Sequence, residues 1–452
     1  MLICSQYVLP VTSEPIMKGA VLVRDNRIAD IGTAEMLKLR YPDEDVIDYG
    51  LAAVMPGLVD LDTRLEYAVM RGVVSDLPFA QWFLAVADHA RKLEPSDWFD
   101  SAILGGLDAL SSGITTIADI TATGAARAAA QRLGLRGVIY HEVSAVDKDR
   151  IDNAMRAAAD GIEAWRQESD GDRITIGIAP AAAYRNHPAV YGRVSEYASE
   201  HDLPVALRLA GSREEVNFVK YGSSMFAIHA KNGTLRSYTE VPPWLPTGVT
   251  PVRYVLNWGA FEAPNVMIIH AVHVTDEDVA KLREHDVAVC LTPRSSAQLG
   301  MGTAPLDEFL RAGLRVGLGT DSPAATNSTD ILTEMRSTLL LQRATNARRF
   351  LSSTTMLELA TIGGARALGM EDRIGSLEIG KQADIIAVDL SSSHHSVETN
   401  PVSALVNTCT ATDVLMTMVD GTVLYEKNNW HVNVEVAKNI ARVIEIRSKL
   451  RN

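Results

Sequence analysis

The chain has 452 residues, 47% of them hydrophobic and 22% charged, with mean hydropathy near zero, as befits a globular protein with a sizeable core. Its net charge of −13 repels phosphate backbones, so nucleic acid is not an expected partner. No apolar run approaches the roughly 18 residues that span a bilayer, and three widely spaced cysteines, Cys4, Cys290 and Cys409, form neither a disulfide framework nor a zinc ribbon.

The opening stretch, "MLICSQYVLPVTSEP", lacks a basic segment followed by an apolar core, so no secretion signal is expected and the reducing cytoplasm is the expected location. Residues 1–54 carry short β-like runs, "AVLVRD" and "RIADIG", between turns. Over residues 55–373 apolar strand, loop and amphipathic helix alternate. The strands are "GITTIADI", "GLRGVIYHEV", "ITIGIAPA", "LPVALRLA", "VMIIHAVHV", "VAVCLTP" and "RVGLGTD". Continuous apolar strands separated by helices predict a parallel sheet buried on both faces. With about 320 residues and no GxGxxG after the first strand, the expected class is α/β, a distorted (β/α)8 TIM-type barrel. Residues 374–430 return to short β runs with a "DG" hairpin turn. The two β-rich ends are expected to combine into one small sandwich, and residues 431–452 have the periodicity of a terminal helix. Segment 211–250, irregular and bearing Pro and Trp, follows a barrel strand and is the expected lid.

The stretches "PGLVDL", "LPFAQWF", "SSGITTIADI", "IIHAVHVTDEDVAKL", "LGMGTAPLDEFLRAGLRVGLGTDSPAATNSTDILTEMR" and "ATIGGARALGMEDRIGSLEIGKQADIIAVDL" occur in this order. Through them the chain resembles the amidohydrolase superfamily over essentially its whole length, in the deaminase and chlorohydrolase branch. "SREEVNFVKYG" and "VPPWLPTGVTPVRYVL" are similar to the aminodeoxyfutalosine deaminases within it. The resemblance implies a barrel with a sandwich built from both termini, one Zn²⁺ or Fe²⁺ that activates water against a C–N or C–Cl bond, and a homodimer. It also implies ligands from an HxH after strand 1, a His on strand 5 and an Asp on strand 8, with a His and a Glu moving protons.

Here those positions are rewritten. Asp62 and Arg64 stand where the HxH belongs, Arg208 replaces the strand 5 His, Gly211 the shuttling Glu, and Ala181 a substrate-contacting His. His270 and Asp321 remain as candidate catalytic residues. Catalytic zinc wants about three protein ligands, mostly His. Arginine has no lone pair to donate, and like charges ~4 Å apart cost ~4 kcal/mol even at an effective dielectric of ~20. No metal is therefore expected. If one binds, Asp62, His270 and Asp321 are its ligands, and such an oxygen-rich set suits Mn²⁺ or Mg²⁺ better than zinc.

Two readings of the four charges stay open. Asp62 and Asp321 can pair with Arg64 and Arg208 as a structural salt-bridge cluster, or Asp62, Arg64, Arg208 and Ser295 can line a site for an anionic small molecule. His270 is either a satisfied core residue or, with Asp321 as hydrogen-bond partner, a general acid/base. Ser295 is a pocket residue or a turn hydroxyl. His273 should face away, Arg71 and Trp82 should pack the first loop and helix, and Cys290 should be core. Three functions compete: a diverged hydrolase of a small, anionic or heterocyclic C–N substrate, a ligand-binding protein without catalysis, and an enzyme with an atypical metal site. In each the partner is a small molecule, with neither nucleic acid nor membrane.

Overall fold

The computed structural model describes residues 1–168, 173–227, 246–345, 350–395 and 400–450. The N-terminal strands are β1 (Leu2–Val8), β2 (Ile16–Arg24), β3 (Arg27–Thr33), β4 (Val46–Asp48) and β5 (Ala52–Pro56). The parallel strands follow as β6 (Leu58–Asp60), β7 (Ile114–Thr121), β8 (Arg136–Val143), β9 (Ile174–Pro180), β10 (Val205–Leu209), β11 (Val266–His270), β12 (Ala288–Leu291) and β13 (Val316–Leu318). The C-terminal strands are β14 (Ile385–Asp389), β15 (Val414–Val419), β16 (Thr422–Glu426) and β17 (Asn429–Trp430).

Strands β6 to β13 pair in chain order as one parallel eight-stranded sheet. Leu61 N donates to Leu318 O at 2.9 Å and Asp321 N to Asp62 O at 2.7 Å, which brings β13 round to the segment after β6. The expected distorted barrel is what forms. Its strands are buried on both faces because alternate side chains feed two cores. Val205, Leu207 and Leu209 of β10 join the cluster under the helices, whereas Ala206 joins the inner cluster with Val59, Ala118, Val138, Met267 and Cys290. Arg208, two residues after Ala206, points inward by the same alternation.

The two β-rich ends combine into a single nine-stranded sheet, in which β14 pairs antiparallel with β5, and β1 parallel with it. One face gathers Ile3, Val21, Val54, Ile385 and Met416; the other gathers Leu2, Cys4, Leu22 and Leu37. The expected hairpin turn joins β15 to β16. Asp420 and Gly421 both have positive φ, 53° and 75°, and a Cβ on Gly421 would lie 2.1 Å from Asp25 O. Arg136 ties the sheet to the base of β8. It is 1% exposed, with Nε 2.6 Å from Asp384 Oδ2 and Nη2 3.1 Å from Asp420 Oδ1. The terminal helix, Val436–Leu450, buries Val443, Ile446 and Leu450 against Val69, Met70 and Trp82. Among the described residues no helix is long and apolar enough to cross a membrane.

Candidate active site

The site is assembled from the C-terminal ends of the barrel strands, where side chains of different strands converge. Asp62 lies two residues past β6 and is wholly buried. Gly319 makes room for it, since a Cβ there would sit 2.9 Å from Asp62 N and 2.7 Å from Cys290 Sγ. Arg208 Nη2 donates to Asp62 Oδ1, while Oδ2 is buried without a hydrogen bond. Burial pushes the Asp62 carboxyl up to about 7, against the pull of Arg208 and with a further push from Asp321. The guanidinium thus spans the inside of the mouth and is tied to the first of the two rewritten positions.

Arg64 does not join that pair. The strand ends at Asp60, and Arg64 sits in the left-handed region at φ 47° as the residue before a short 3-10 turn, Leu65–Met70. The i, i+2 alternation of a strand therefore no longer applies to Asp62 and Arg64. The Arg64 guanidinium lies over the Tyr67 ring, 5.0 Å from its centroid, and its Nη2 is 3.9 Å from Glu142 Oε1 at the end of β8. Arg185 Nη1 approaches the same oxygen at 3.1 Å. Burial raises Glu142, but Arg185, Arg64 and Arg208 together hold it below the usual range. The expected four-charge cluster is instead divided, Asp62 with Arg208 and Glu142 with Arg64 and Arg185.

His270 ends β11 with φ 79°, and Ala210, Ala271 and Asp321 also have positive φ. Non-glycine residues in this region cost free energy and concentrate at functional clefts. The His270 partner is Thr292, with Nδ1 2.7 Å from Thr292 Oγ1. Asp321 acts on His270 through charge, while its Oδ1 accepts from Ser322 N at 2.7 Å. Burial lowers His270 to about 4, so the imidazole is neutral near pH 7. Burial raises Asp321, yet His270, Arg208, Ser295 and the Ser322 amide carry it below the usual carboxylate range. Ser295 is buried and donates to Thr292 O at 3.2 Å, which makes it a turn hydroxyl that also reaches Asp321.

Gly211 touches His270, since a Cβ there would lie 3.1 Å from His270 Cδ2. A longer side chain at 211 would displace the imidazole. The buried carboxylate nearby is Glu215, whose Oε2 accepts from Gly211 N at 2.9 Å and whose Oε1 is buried without a hydrogen bond; burial raises it to about 7. Glu215, Glu142, Arg185, Asp119 and Glu66 were missed by motif reading. For Asp119 and Glu142 the one signal was position near the C-terminal end of a strand, in "IAD" and "YHEV". Asp119 Oδ2 accepts from Thr63 Oγ1 and Leu65 N, both at 2.7 Å, and fastens the loop carrying Arg64. Glu66 accepts from Thr121 at 2.8 Å and Thr123 at 2.6 Å.

The cleft at this mouth is small, about 30 Å³, and is lined by Arg64, Phe83, Glu142, Ala181, Tyr184, Arg185 and Arg208 among others. Ala181 therefore does face it. Phe79, Phe83, Tyr184 and Phe226 pack together beside it, Tyr184 and Phe226 stacked at 4.1 Å. His273 is turned away, its Nε2 2.8 Å from Met301 O, Arg71 pairs with Asp108 at 2.8 Å, and Trp82 and Cys290 are buried. Of the expected lid, residues 228–245 lie outside the described residues.

A mononuclear metal centre requires donor atoms that converge. Among the described residues the one His/Cys/Asp/Glu group of three whose donors fall within 4.8 Å of one another is His394, His395 and Asp413, from other elements. Asp62, His270 and Asp321 do not form such a group, and a guanidinium is bonded to the first of them. A cation placed there would face Arg208 with few lone pairs in return.

Comparison with known proteins matches residues 53–424 to the amidohydrolase family, and residues 19–43 to a bacterial imidazolonepropionase-like composite domain. The chain is 30% identical to a 5-methylthioadenosine/S-adenosylhomocysteine deaminase of Moorella thermoacetica, over 92% of each chain. It is 31% identical to the protein of that name from Desulforudis audaxviator, over 94% of this chain and 93% of the other. Among solved structures, a zinc-bound adenosine deaminase of Xanthomonas campestris superimposes with TM-score 0.84 at 25% identity, covering 100% of this chain and 98% of that one. The zinc complex of atrazine chlorohydrolase from Arthrobacter aurescens shares the fold, with TM-score 0.82 at 22% identity over 99% of both chains.

Proposed function

This chain belongs to the amidohydrolase family, and we propose that within it the protein binds a small anionic molecule at the barrel mouth without the deamination for which its relatives are named. The observation that carries the reading is the bond from Arg208 to Asp62, which puts a permanent cation where converging metal donors are needed. Arg64 supports the anionic part. Its charge is shared with Arg185 on a single carboxylate, and its Nε is buried in the cleft without a hydrogen bond. A carboxylate or phosphate supplies the acceptors such a fork prefers. His270, neutral and held by Thr292, orients the inner wall and can accept a hydrogen bond from a ligand. The reading places the chain in the reducing cytoplasm, consistent with three free, buried cysteines.

The test uses the compounds in the relatives' names. S-adenosylhomocysteine carries a carboxylate and 5-methylthioadenosine does not. Calorimetry should show binding of the former, lost in Arg64→Met, and ammonia release from either should stay at background with Zn²⁺ or Fe²⁺ supplied. Turnover that chelator abolishes and that Asp321→Asn removes would overturn the reading.

A further inference from the structure

The adjacent histidines of "SSSHHS" have no part in the barrel mouth. We propose that His394, His395 and Asp413 form a separate site for a divalent transition ion of the zinc class, in the loops between β14 and β15. His394 and His395 lie on the turn that follows β14, and Asp413 ends a short 3-10 turn, Ala411–Asp413, that leads into β15.

The hydrogen bonds around His395 decide which of its nitrogens carries the lone pair. Thr408 Oγ1 donates its one proton to Ala404 O at 2.8 Å. Its 2.8 Å contact with His395 Nδ1 is therefore an Nδ1–H donating to the hydroxyl oxygen. In the neutral imidazole the lone pair then sits on Nε2. That nitrogen is buried and has no aligned hydrogen bond, and it faces Asp413 Oδ1 at 3.3 Å. The other oxygen, Oδ2, is occupied by Thr410 N at 2.8 Å and Thr410 Oγ1 at 3.2 Å.

A lone pair facing a carboxylate oxygen is repulsive unless a proton or a metal cation lies between them. Two ligands of a tetrahedral ion with bonds of ~2.0–2.1 Å stand about 3.3 Å apart, which is the separation found. His394 completes the set from the exposed side, its ring centroid 3.7 Å from that of His395, with all three donors within 4.8 Å. A fourth position is left for water. Thr408 plays the part of the outer partner that fixes a ligating histidine's tautomer. Cys409 is no ligand; burial first of all pushes its thiol up to about 12, and its sulfur lies 3.8 Å from Nδ1, the nitrogen already bonded to Thr408.

The competing arrangement is a plain imidazolium–carboxylate pair, and metal uptake separates the two. The full chain, stripped with chelator and titrated with Zn²⁺ by calorimetry at pH 8, should take up one equivalent. His394→Ala, at an exposed position that leaves the core intact, should lose that uptake. Thr408→Val should weaken it by about 10-fold or more, and Asp321→Asn in the barrel mouth should leave it unchanged. Co²⁺ in place of Zn²⁺ should give the visible absorption of a tetrahedral ion, altered in His394→Ala. Absence of uptake by the unmodified chain overturns the proposal, as does uptake that survives His394→Ala or disappears in Asp321→Asn.

Discussion

Replacing Arg208 by Met removes the hydrogen bond that Asp62 receives and the charge that opposes its burial. Burial raises the Asp62 carboxyl from 3.8 to about 7. A raised carboxylate contributes stability that is present below its unfolded value and lost as pH rises to the folded one. In the native chain that loss is complete near pH 7, and above it this group adds no further slope. Without Arg208 the folded value moves higher still, so the loss continues at ~1.4 kcal/mol per pH unit. At pH 6 the substitution should cost about 1 kcal/mol, the hydrogen bond alone. At pH 8.5 the extra 1.5 units add about 2 kcal/mol. Unfolding entropy of ~2.1 cal/mol/K per residue gives this 452-residue chain about 1 kcal/mol/K. The Tm should therefore fall by about 1 °C at pH 6 and about 3 °C at pH 8.5, read by scanning calorimetry. Asp62→Asn with Arg208→Met should show the same small loss at both values. Equal shifts of the single variant at both pH values would refute the reasoning, because they would mean that Arg208 does not oppose a buried, titrating Asp62.

Glu215 is raised to about 7 by burial, so stability should be lost as pH rises through that range. Glu215→Gln should flatten the stability slope between pH 5 and 6.5 by about 1.4 kcal/mol per unit, and parallel Tm–pH curves for the two proteins would contradict it. Gly211→Ala puts a Cβ 3.1 Å from His270 Cδ2. It should cost about 1 kcal/mol or more and move the His270 imidazole signals in NMR spectra; unchanged signals would show that the ring is not held against Gly211. Arg136→Met strands Asp384, which is 2% exposed, and should cost about 3–5 kcal/mol, or about 4 °C in Tm. A smaller effect than for Arg208→Met at pH 6 would show that the barrel and terminal sheet are not joined there.

The barrel was legible because hydrophobic patterning is a local property. A continuous apolar run followed by an amphipathic helix can bury itself in few ways, and eight repeats close into one of them. The same holds for the "DG" turn, whose backbone needs φ > 0 at both residues. Which charges would share the mouth was legible in kind, since Asp62, Arg64, Arg208, His270 and Asp321 were all picked out by position. The pairing was not. Arg64 leaves Asp62 for Glu142 because the backbone turns left-handed once the strand has ended, and strand alternation has no authority past the strand.

Residue types in order thus determined by themselves the fold class and the family resemblance. Tertiary structure alone decided that Arg208 takes Asp62, that Thr292 rather than Asp321 holds His270, and that two neighbouring histidines meet Asp413 from another turn. A pairing depends on where side chains from separate strands and loops end within a few ångströms of one another. That distance is set by packing across the whole molecule and is written in no single stretch of the chain.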